Sequence, residues 1–244
     1  MGPAYAPARA REKVGAGDVK AQLPLGIALR ATSSFENFLP GPNAEAAMHV
    51  RRIADGAAEN LFLFGPPATG KTHLVEAACR AAQAHSEAPV YLPLTLVELT
   101  PAVLDGLEGR GLIAVDGLQH IAGDAAWERA LFALIERARD RARFIFTART
   151  APIGLAIAMP DLKTRLAQSL AYALAPLTDE DKAKVLMQRA QELGMELSAE
   201  AARYVMSRRE RDLGALMTWL ERVERASLVH QRRLTIPFLR SLDD

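Results

Sequence analysis

Short apolar runs alternate with amphipathic segments along the first three quarters of the chain. Five of these runs have the length and composition of buried strands: residues 60–64, 90–94, 112–116, 143–147 and 170–174. Between the third and fourth runs, apolar side chains recur at helical spacing and so share one helix face: Trp127, Ala130, Leu131, Leu134, Ile135 and Ala138. Short buried strands separated by helices are typical of an α/β fold, here a three-layer fold with a parallel five-stranded sheet.

The pattern changes after the fifth run, and no further strand is predicted. Thr178 and the three acids that follow it begin a helix that Gly194 ends, and Ser198 begins a second helix. A third helix carries a stripe of side chains at helical spacing: Leu213, Leu216, Met217, Leu220, Val223 and Ser227. A short fourth helix follows. We therefore expect an α/β domain over residues 28–176 and a small all-helical domain over residues 177–244.

Composition narrows the class of protein without identifying it. The chain has 244 residues, half of them hydrophobic, and a net charge of +1, which gives no global attraction to nucleic acid or membranes. The single cysteine, Cys79, excludes an internal disulfide and is interpreted as a small core residue. No apolar run approaches the roughly 20 residues that span a bilayer. Residues 1–21 are expected to be disordered. They also lack the apolar stretch of a secretory signal, so a cytoplasmic protein is predicted.

A phosphate-binding loop follows the first predicted strand. The sequence GPPATGKT matches G-x-x-x-x-G-K-[ST] in full, between a strand and a helix. The two glycines let the backbone turn its N–H groups toward phosphates, the lysine reaches the β- and γ-phosphate oxygens, and the threonine hydroxyl is offered to Mg²⁺. The candidate nucleotide-binding residues are Gly65, Pro66, Pro67, Ala68, Thr69, Gly70, Lys71 and Thr72.

The third predicted strand ends in a single acid. Asp116 is suited to hold Mg²⁺ together with Thr72, whereas Gly117 occupies the position that often carries the acid orienting the attacking water. We therefore predict that the chain binds a nucleotide but hydrolyses it slowly or not at all by itself. The alternative is that Asp116 is an ordinary turn acid at a strand end.

These motifs resemble those of the DnaA-related AAA+ family, most closely its Hda branch. The resemblance rests on the phosphate loop, the strand end VDGLQ, the segment MPDLKTRL at residues 159–166 and the helical tail, and it covers residues 22–244. It implies an AAA+ domain followed by a helical lid, with ADP or ATP and Mg²⁺ as cofactors and DnaA as a partner. It also implies that the DNA-binding helix-turn-helix domain of DnaA is lacking.

Three arginines acquire meaning from this resemblance. Arg165 matches the arginine finger, whose rigid fork neutralises phosphoryl charge in a neighbouring subunit's site; without the family it would be interpreted as a surface residue. Arg211 matches the lid arginine that contacts the nucleotide, with Arg208, Arg209 and a solvated basic face as open alternatives. Arg149 stands where the family's sensor run has an aspartate, which further weakens the case for autonomous hydrolysis.

A short peptide precedes the AAA+ domain. The sequence QLPLGI at residues 22–27 resembles the peptide by which proteins bind the bacterial sliding clamp, the β clamp of DNA polymerase III. In such peptides the apolar side chains fill a pocket while the glutamine bonds a backbone group. The candidate clamp-binding residues are Gln22, Leu23, Leu25 and Ile27. The alternative is a hydrophobic strand leading into the domain.

Together these features predict a negative regulator of chromosomal replication initiation. Tethered to the clamp, the protein would offer Arg165 to ATP-bound DnaA and stimulate hydrolysis there, while its own pocket holds ADP. The main alternative is an autonomous AAA+ ATPase or loader acting in replication. A third is an adaptor in which Arg165 is incidental. Self-association into a homo-oligomer stays open.

Overall fold

The computed structural model describes residues 29, 33–85, 88–208, 212–230, 234 and 236–237, with side chains to residue 225 in the last helix. The candidate clamp peptide at residues 22–27 lies outside the described residues. So do Arg209 and Arg211, the arm at residues 1–21 and the helix expected near the end of the chain.

Five parallel strands form one sheet, as predicted. They are β1 Leu61–Phe64, β2 Val90–Pro93, β3 Leu112–Asp116, β4 Arg143–Ala148 and β5 Leu170–Ala173, in the order β2-β3-β4-β1-β5. The predicted bounds differ from these by one residue at most. Asn60 and Leu174 lie just outside the strands but extend the backbone hydrogen bonding between β1 and β5. Asn60 O accepts from Leu170 N at 2.9 Å, and Leu174 N donates to Phe64 O at 2.7 Å.

Helices cover both faces of the sheet. Four belong to this domain: α1 Ala44–Ala54, α2 Lys71–Ala84, α3 Ala125–Arg137 and α4 Pro160–Ala167. Alternate strand residues point to opposite faces. Leu61, Leu63 and Ile145 pack with α1 and α2, whereas Phe62, Phe144 and Phe146 pack with α3 and α4. Single 3₁₀ turns occur at Gly41–Asn43, Pro101–Leu104, Leu118–His120 and Pro152–Gly154. The three-layer prediction is confirmed.

A helical lid with its own apolar core follows the sheet. It contains α5 Asp179–Glu192, α6 Ala199–Arg208 and α7 Leu213–His230. Side-chain caps stand at the two predicted helix starts: Thr178 Oγ1 accepts from Asp181 N at 3.2 Å, and Ser198 Oγ accepts from Ala201 N at 3.1 Å. Within the described part of the chain, no helix is both long and apolar enough to cross a membrane.

Candidate functional site

Parallel strands bring the predicted acid and the phosphate loop to one edge of the sheet. The loop follows β1, Asp116 ends β3, and β4 lies between these two strands. Asp116 is 8% exposed, and its Oδ2 accepts from Thr72 Oγ1 at 2.8 Å and from Tyr91 Oη at 3.0 Å. Its Oδ1 accepts from Thr147 Oγ1. The carboxylate therefore ties the first turn of α2 to β2 and β4.

Both glycines of the phosphate loop are required by local geometry. Gly65 has φ +148°, and a Cβ there would lie 2.4 Å from the carbonyl oxygen of Leu174. Gly70 has φ +91°, and a Cβ there would lie 2.7 Å from the Phe38 ring. Ala68 also has a positive φ, at 58°. The loop is thus a strained turn packed against its surroundings at the start of α2, a geometry suited to phosphate binding.

Lys71 is folded onto this loop. Its Nζ donates to the carbonyl oxygens of Gly65 at 2.8 Å and Pro66 at 2.6 Å, and to Thr69 Oγ1 at 3.2 Å. Burial lowers the pKa of Lys71; the Asp116 carboxylate opposes this shift and the Arg149 guanidinium adds to it. A bound polyphosphate would supply the negative charge that the ammonium group has only in part from Asp116.

Gly117 adopts a backbone conformation that disfavours a second acid. Its φ is +92°, and its N–H donates to Thr147 Oγ1 at 2.9 Å. A Cβ on Gly117 would lie 3.1 Å from His120 Cδ2 and 3.5 Å from Gln119 Nε2. A side chain at position 117 would therefore meet the His120 imidazole and the Gln119 amide.

A cavity of about 860 Å³ opens over the phosphate loop, between the sheet edge and the lid. This volume is in the range of small-molecule binding pockets. Its polar side includes the phosphate loop, Asp116, Gln119, His120, Thr147 and Arg149. Its apolar lining residues include Phe38, Leu39, Leu177, Val185, Leu213 and Met217. Arg211, the candidate lid arginine, immediately precedes Asp212, which also lines the cavity.

The donor set fits a magnesium ion held jointly with a nucleotide. Among the described residues there is no cluster of three or more His, Cys, Asp or Glu side chains that could hold a metal alone. Thr72 and Asp116 provide adjacent hydroxyl and carboxylate oxygens, which are the hard ligands Mg²⁺ prefers. Mg²⁺ commonly takes one or two protein ligands and completes its shell with phosphates and water.

Arg165 lies at the opposite edge of the sheet. It is in the last turn of α4, just before β5 begins, whereas the phosphate loop follows the end of β1. Arg165 lines a second cavity of about 640 Å³ that also borders Asn60, which precedes β1, and Arg143, the first residue of β4. Since all strands are parallel, this is the amino edge, and Arg165 cannot reach a nucleotide on its own phosphate loop.

Sequence reasoning missed several residues of the site. Tyr91, Gln119 and His120 were not predicted to take part, because their roles depend on strand order and on the turn after β3. Glu136 was missed for the same reason: its Oε1 lies 2.6 Å from Arg165 Nε, a contact between two helices. The apolar stripe of α3 predicted the helix but gave no information about its neighbour.

Comparisons with known proteins agree with this architecture. Residues 179–242 match the family model "Hda, lid domain", and residues 29–97 match the bacterial DnaA ATPase domain. Domain III of Thermotoga maritima DnaA superposes with a TM-score of 0.75 at 18% identity, covering 86% of this chain and 95% of that one. AMPPCP-bound DnaA from Aquifex aeolicus gives 0.65 at 20% identity, covering 79% and 66%. A RuvB variant from Thermotoga maritima gives 0.63 at 16%, covering 83% and 68%. At these identities the solved structures show a shared fold.

Proposed function

We propose that this chain, an AAA+ protein related to Hda and DnaA, is a negative regulator of chromosomal replication initiation that acts on DnaA. Its own pocket holds ADP with Mg²⁺ as a ligand that stabilises the active conformation. The amino edge of its β-sheet presents Arg165 to the ATP-bound site of DnaA and thereby stimulates ATP hydrolysis in that site. The peptide at residues 22–27 tethers the protein to the sliding clamp of DNA polymerase III. The domain bounds proposed for these roles are 1–21, 22–27, 28–176 and 177–244.

The observation that carries this proposal is the separation of the two functional edges. The phosphate loop and Asp116 lie at the carboxyl edge of the sheet, and Arg165 lies at the amino edge. An arginine placed there can act only on a nucleotide held by another subunit. Its guanidinium would neutralise charge on the transferred phosphoryl group, which is how arginine fingers accelerate hydrolysis in trans.

The residues of the chain's own pocket would act as binding groups. Gly65, Gly70 and Lys71 would hold the phosphates, and the Thr72 and Asp116 oxygens would hold Mg²⁺. Bound Mg²⁺ would neutralise phosphate charge. Arg211 is proposed to contact the nucleotide from the lid. With Gly117 in a left-handed conformation, the pocket is better suited to retaining a nucleotide than to turning it over.

The proposal is tested with DnaA carrying radiolabelled ATP and with clamp-loaded DNA. Wild-type protein should convert bound ATP to ADP, and Arg165→Ala should lose stimulation while keeping ADP and clamp binding. An arginine finger contributes roughly 10³–10⁵ in rate in the best-studied GTPases, so the loss should be large. Arg165→Lys should rescue little, because an ammonium lacks the planar fork. Arg52→Ala, on the helix α1 at the other face of the sheet, is the matched control and should behave as wild type.

One observation favours the alternative of an autonomous ATPase. Gln119 Oε1 is buried without a hydrogen-bond partner among the described residues, and its amide nitrogen lies beside Gly117 in the nucleotide cavity. A glutamine orients the attacking water in some GTPases. Steady-state ATP turnover by the protein alone, lost in both Lys71→Ala and Gln119→Ala, would support this alternative.

A further inference from the structure

Arg165 is held by two side chains of its own chain. Its Nε lies 2.6 Å from Glu136 Oε1, and its Nη1 donates to Gln168 Oε1 at 3.1 Å. The Glu136 contact is an ion pair rather than an aligned hydrogen bond, and the Oε1 atom itself is buried. The Arg165 side chain is 29% exposed, so the guanidinium is neither free in solvent nor enclosed.

Glu136 and Arg165 belong to two helices that pack against each other. Glu136 is the second-last residue of α3, and Arg165 is in the last turn of α4. Next to them, Ile135 of α3 and Leu166 of α4 belong to the same apolar cluster under the sheet. Both side chains therefore start from rigid backbone, and the ion pair fixes the direction in which the guanidinium leaves its helix.

A second arginine also approaches Glu136 but is not its main partner. Arg139 Nη2 lies 4.0 Å from the same Oε1 atom, against 2.6 Å for Arg165 Nε. The Arg139 side chain is also the more exposed, at 53% against 29%. Coulomb attraction falls with distance and with solvent screening, so the carboxylate acts mainly on Arg165.

The ion pair faces a cavity that is rich in positive charge. The cavity of about 640 Å³ is lined by Arg139, Arg141, Arg143 and Arg165, with Glu136 and Asp140 as its only acids among the described lining residues. Four like charges in one cavity would push the Arg165 side chain toward solvent. The negative charge of Glu136 offsets this repulsion and keeps the Arg165 guanidinium at the cavity wall. The other arginines leave the cavity positively charged, and a positive cavity attracts phosphate.

We infer that Glu136 is a positioning residue for Arg165: it fixes the guanidinium so that its remaining N–H groups face a phosphate that enters the cavity from another subunit. This inference rests on the proposed function. Misplacing a catalytic group by about 1 Å can lower a rate by roughly 10²-fold. Loss of Glu136 should therefore lower the maximal rate of stimulated ATP hydrolysis by about 10- to 100-fold. The protein concentration that gives half of the maximal rate should change little.

The conservative variant separates charge from placement. Glu136→Gln keeps a carbonyl oxygen near Arg165 Nε but removes the charge, so it should retain more of the maximal rate than Glu136→Ala. Arg137→Ala removes the arginine next to Glu136 on α3, which pairs with Glu108 at 3.9 Å and does not line this cavity, so it is the matched control. The double variant Glu136→Ala with Arg165→Ala should be no worse than Arg165→Ala alone, because a residue that acts through another has no effect once that residue is gone.

The experiment is single-turnover hydrolysis of DnaA-bound ATP at increasing concentrations of each full-length variant with clamp-loaded DNA. A reduced maximum in Glu136→Ala, partial recovery in Glu136→Gln and no added loss in the double variant would support the inference. Unchanged stimulation in Glu136→Ala with an inactive Arg165→Ala would overturn it and leave the proposed function standing. Increased stimulation in Glu136→Ala would also overturn it, since the pair would then withhold Arg165. Wild-type activity of Arg165→Ala would overturn the proposed function itself. If Glu136→Ala does not fold, Glu136→Gln carries the same test.

Discussion

Lys71 and Arg165 lie at opposite edges of one parallel sheet. Lys71 begins α2 directly after the loop that leaves β1, and Arg165 is in the last turn of α4, just before β5 begins. The two cations are both suited to phosphate, yet no single nucleotide bound to this chain can contact both. The proposed contact between Arg165 and a bound nucleotide is therefore a contact with the nucleotide of another subunit.

The first prediction concerns the chain's own pocket. The purified protein should bind ADP, and Lys71→Ala should abolish this binding, because the loop then lacks its main counter-charge for phosphate. ATP turnover by the protein alone should stay below about 1 per second, the lower end of ordinary enzyme rates. Calorimetric titration with ADP and a steady-state assay measure the two parts. Turnover at ordinary enzyme rates that disappears in Lys71→Ala would contradict the prediction.

The second prediction concerns the missing acid after Asp116. Gly117→Glu should not create an efficient ATPase, because φ at this position is +92° and a Cβ would press on His120 at 3.1 Å. A non-glycine residue in this left-handed region costs roughly 1–2 kcal/mol, so the melting temperature should also fall. Gly117→Asn is the control, since asparagine tolerates such a conformation better. A Gly117→Glu variant that melts as wild type and hydrolyses ATP rapidly would show that the backbone conformation is not the obstacle.

Local sequence signals predicted the fold more completely than the site. The apolar runs gave all five strands to within one residue, because buried parallel strands need continuous apolar side chains. The cap at Thr178 was equally readable, since its partner is three residues away. The hydrogen bond from Tyr91 to Asp116 and the ion pair between Glu136 and Arg165 could not be predicted from the sequence, because each joins two different elements. Such contacts depend on strand order and helix packing, which no local pattern encodes.

The third prediction concerns Cys79, which the structure places in the core at 1% exposure. Burial raises the pKa of the Cys79 thiol to about 12, and Glu76 adds to the shift. The thiol should therefore resist alkylation in the folded protein at pH 8 and react once urea unfolds the chain. Mass spectrometry of iodoacetamide-treated protein measures this. Rapid modification of the native protein would contradict the buried position.

The same shift predicts a pH dependence of stability. The unfolded thiol ionises near 9.0 and the folded one near about 12, so the unfolded chain loses its proton first. The contribution of Cys79 to the free energy of unfolding is then fully present below pH 9 and declines as the pH rises toward 12, by up to about 1.4 kcal/mol per unit. Tyrosines and lysines titrate in this range too, so the measurement is the difference in urea unfolding between wild type and Cys79→Ala. A difference that does not change with pH would contradict the shift.

The last prediction separates the tether from the finger. Replacing Gln22 and Leu23 by alanine should abolish clamp binding and leave ADP binding intact, because the peptide at residues 22–27 precedes the proposed AAA+ domain. Stimulation of DnaA should then fall at low protein concentration and recover in excess protein, since a tether acts by raising effective concentration.

Arg165→Ala should show the opposite behaviour. Its clamp binding should be normal, and its loss of DnaA stimulation should persist when more protein is added. The physical reason is that a missing guanidinium lowers the rate within the complex, whereas a missing tether lowers only the fraction of DnaA that is engaged. Titrating each variant against DnaA-bound ATP, with clamp-loaded DNA held constant, distinguishes the two. If Arg165→Ala recovered with concentration as the tether variant does, Arg165 would be a docking contact and the protein an adaptor between clamp and DnaA. Unchanged clamp affinity after the Gln22 and Leu23 substitutions would remove the peptide from the mechanism.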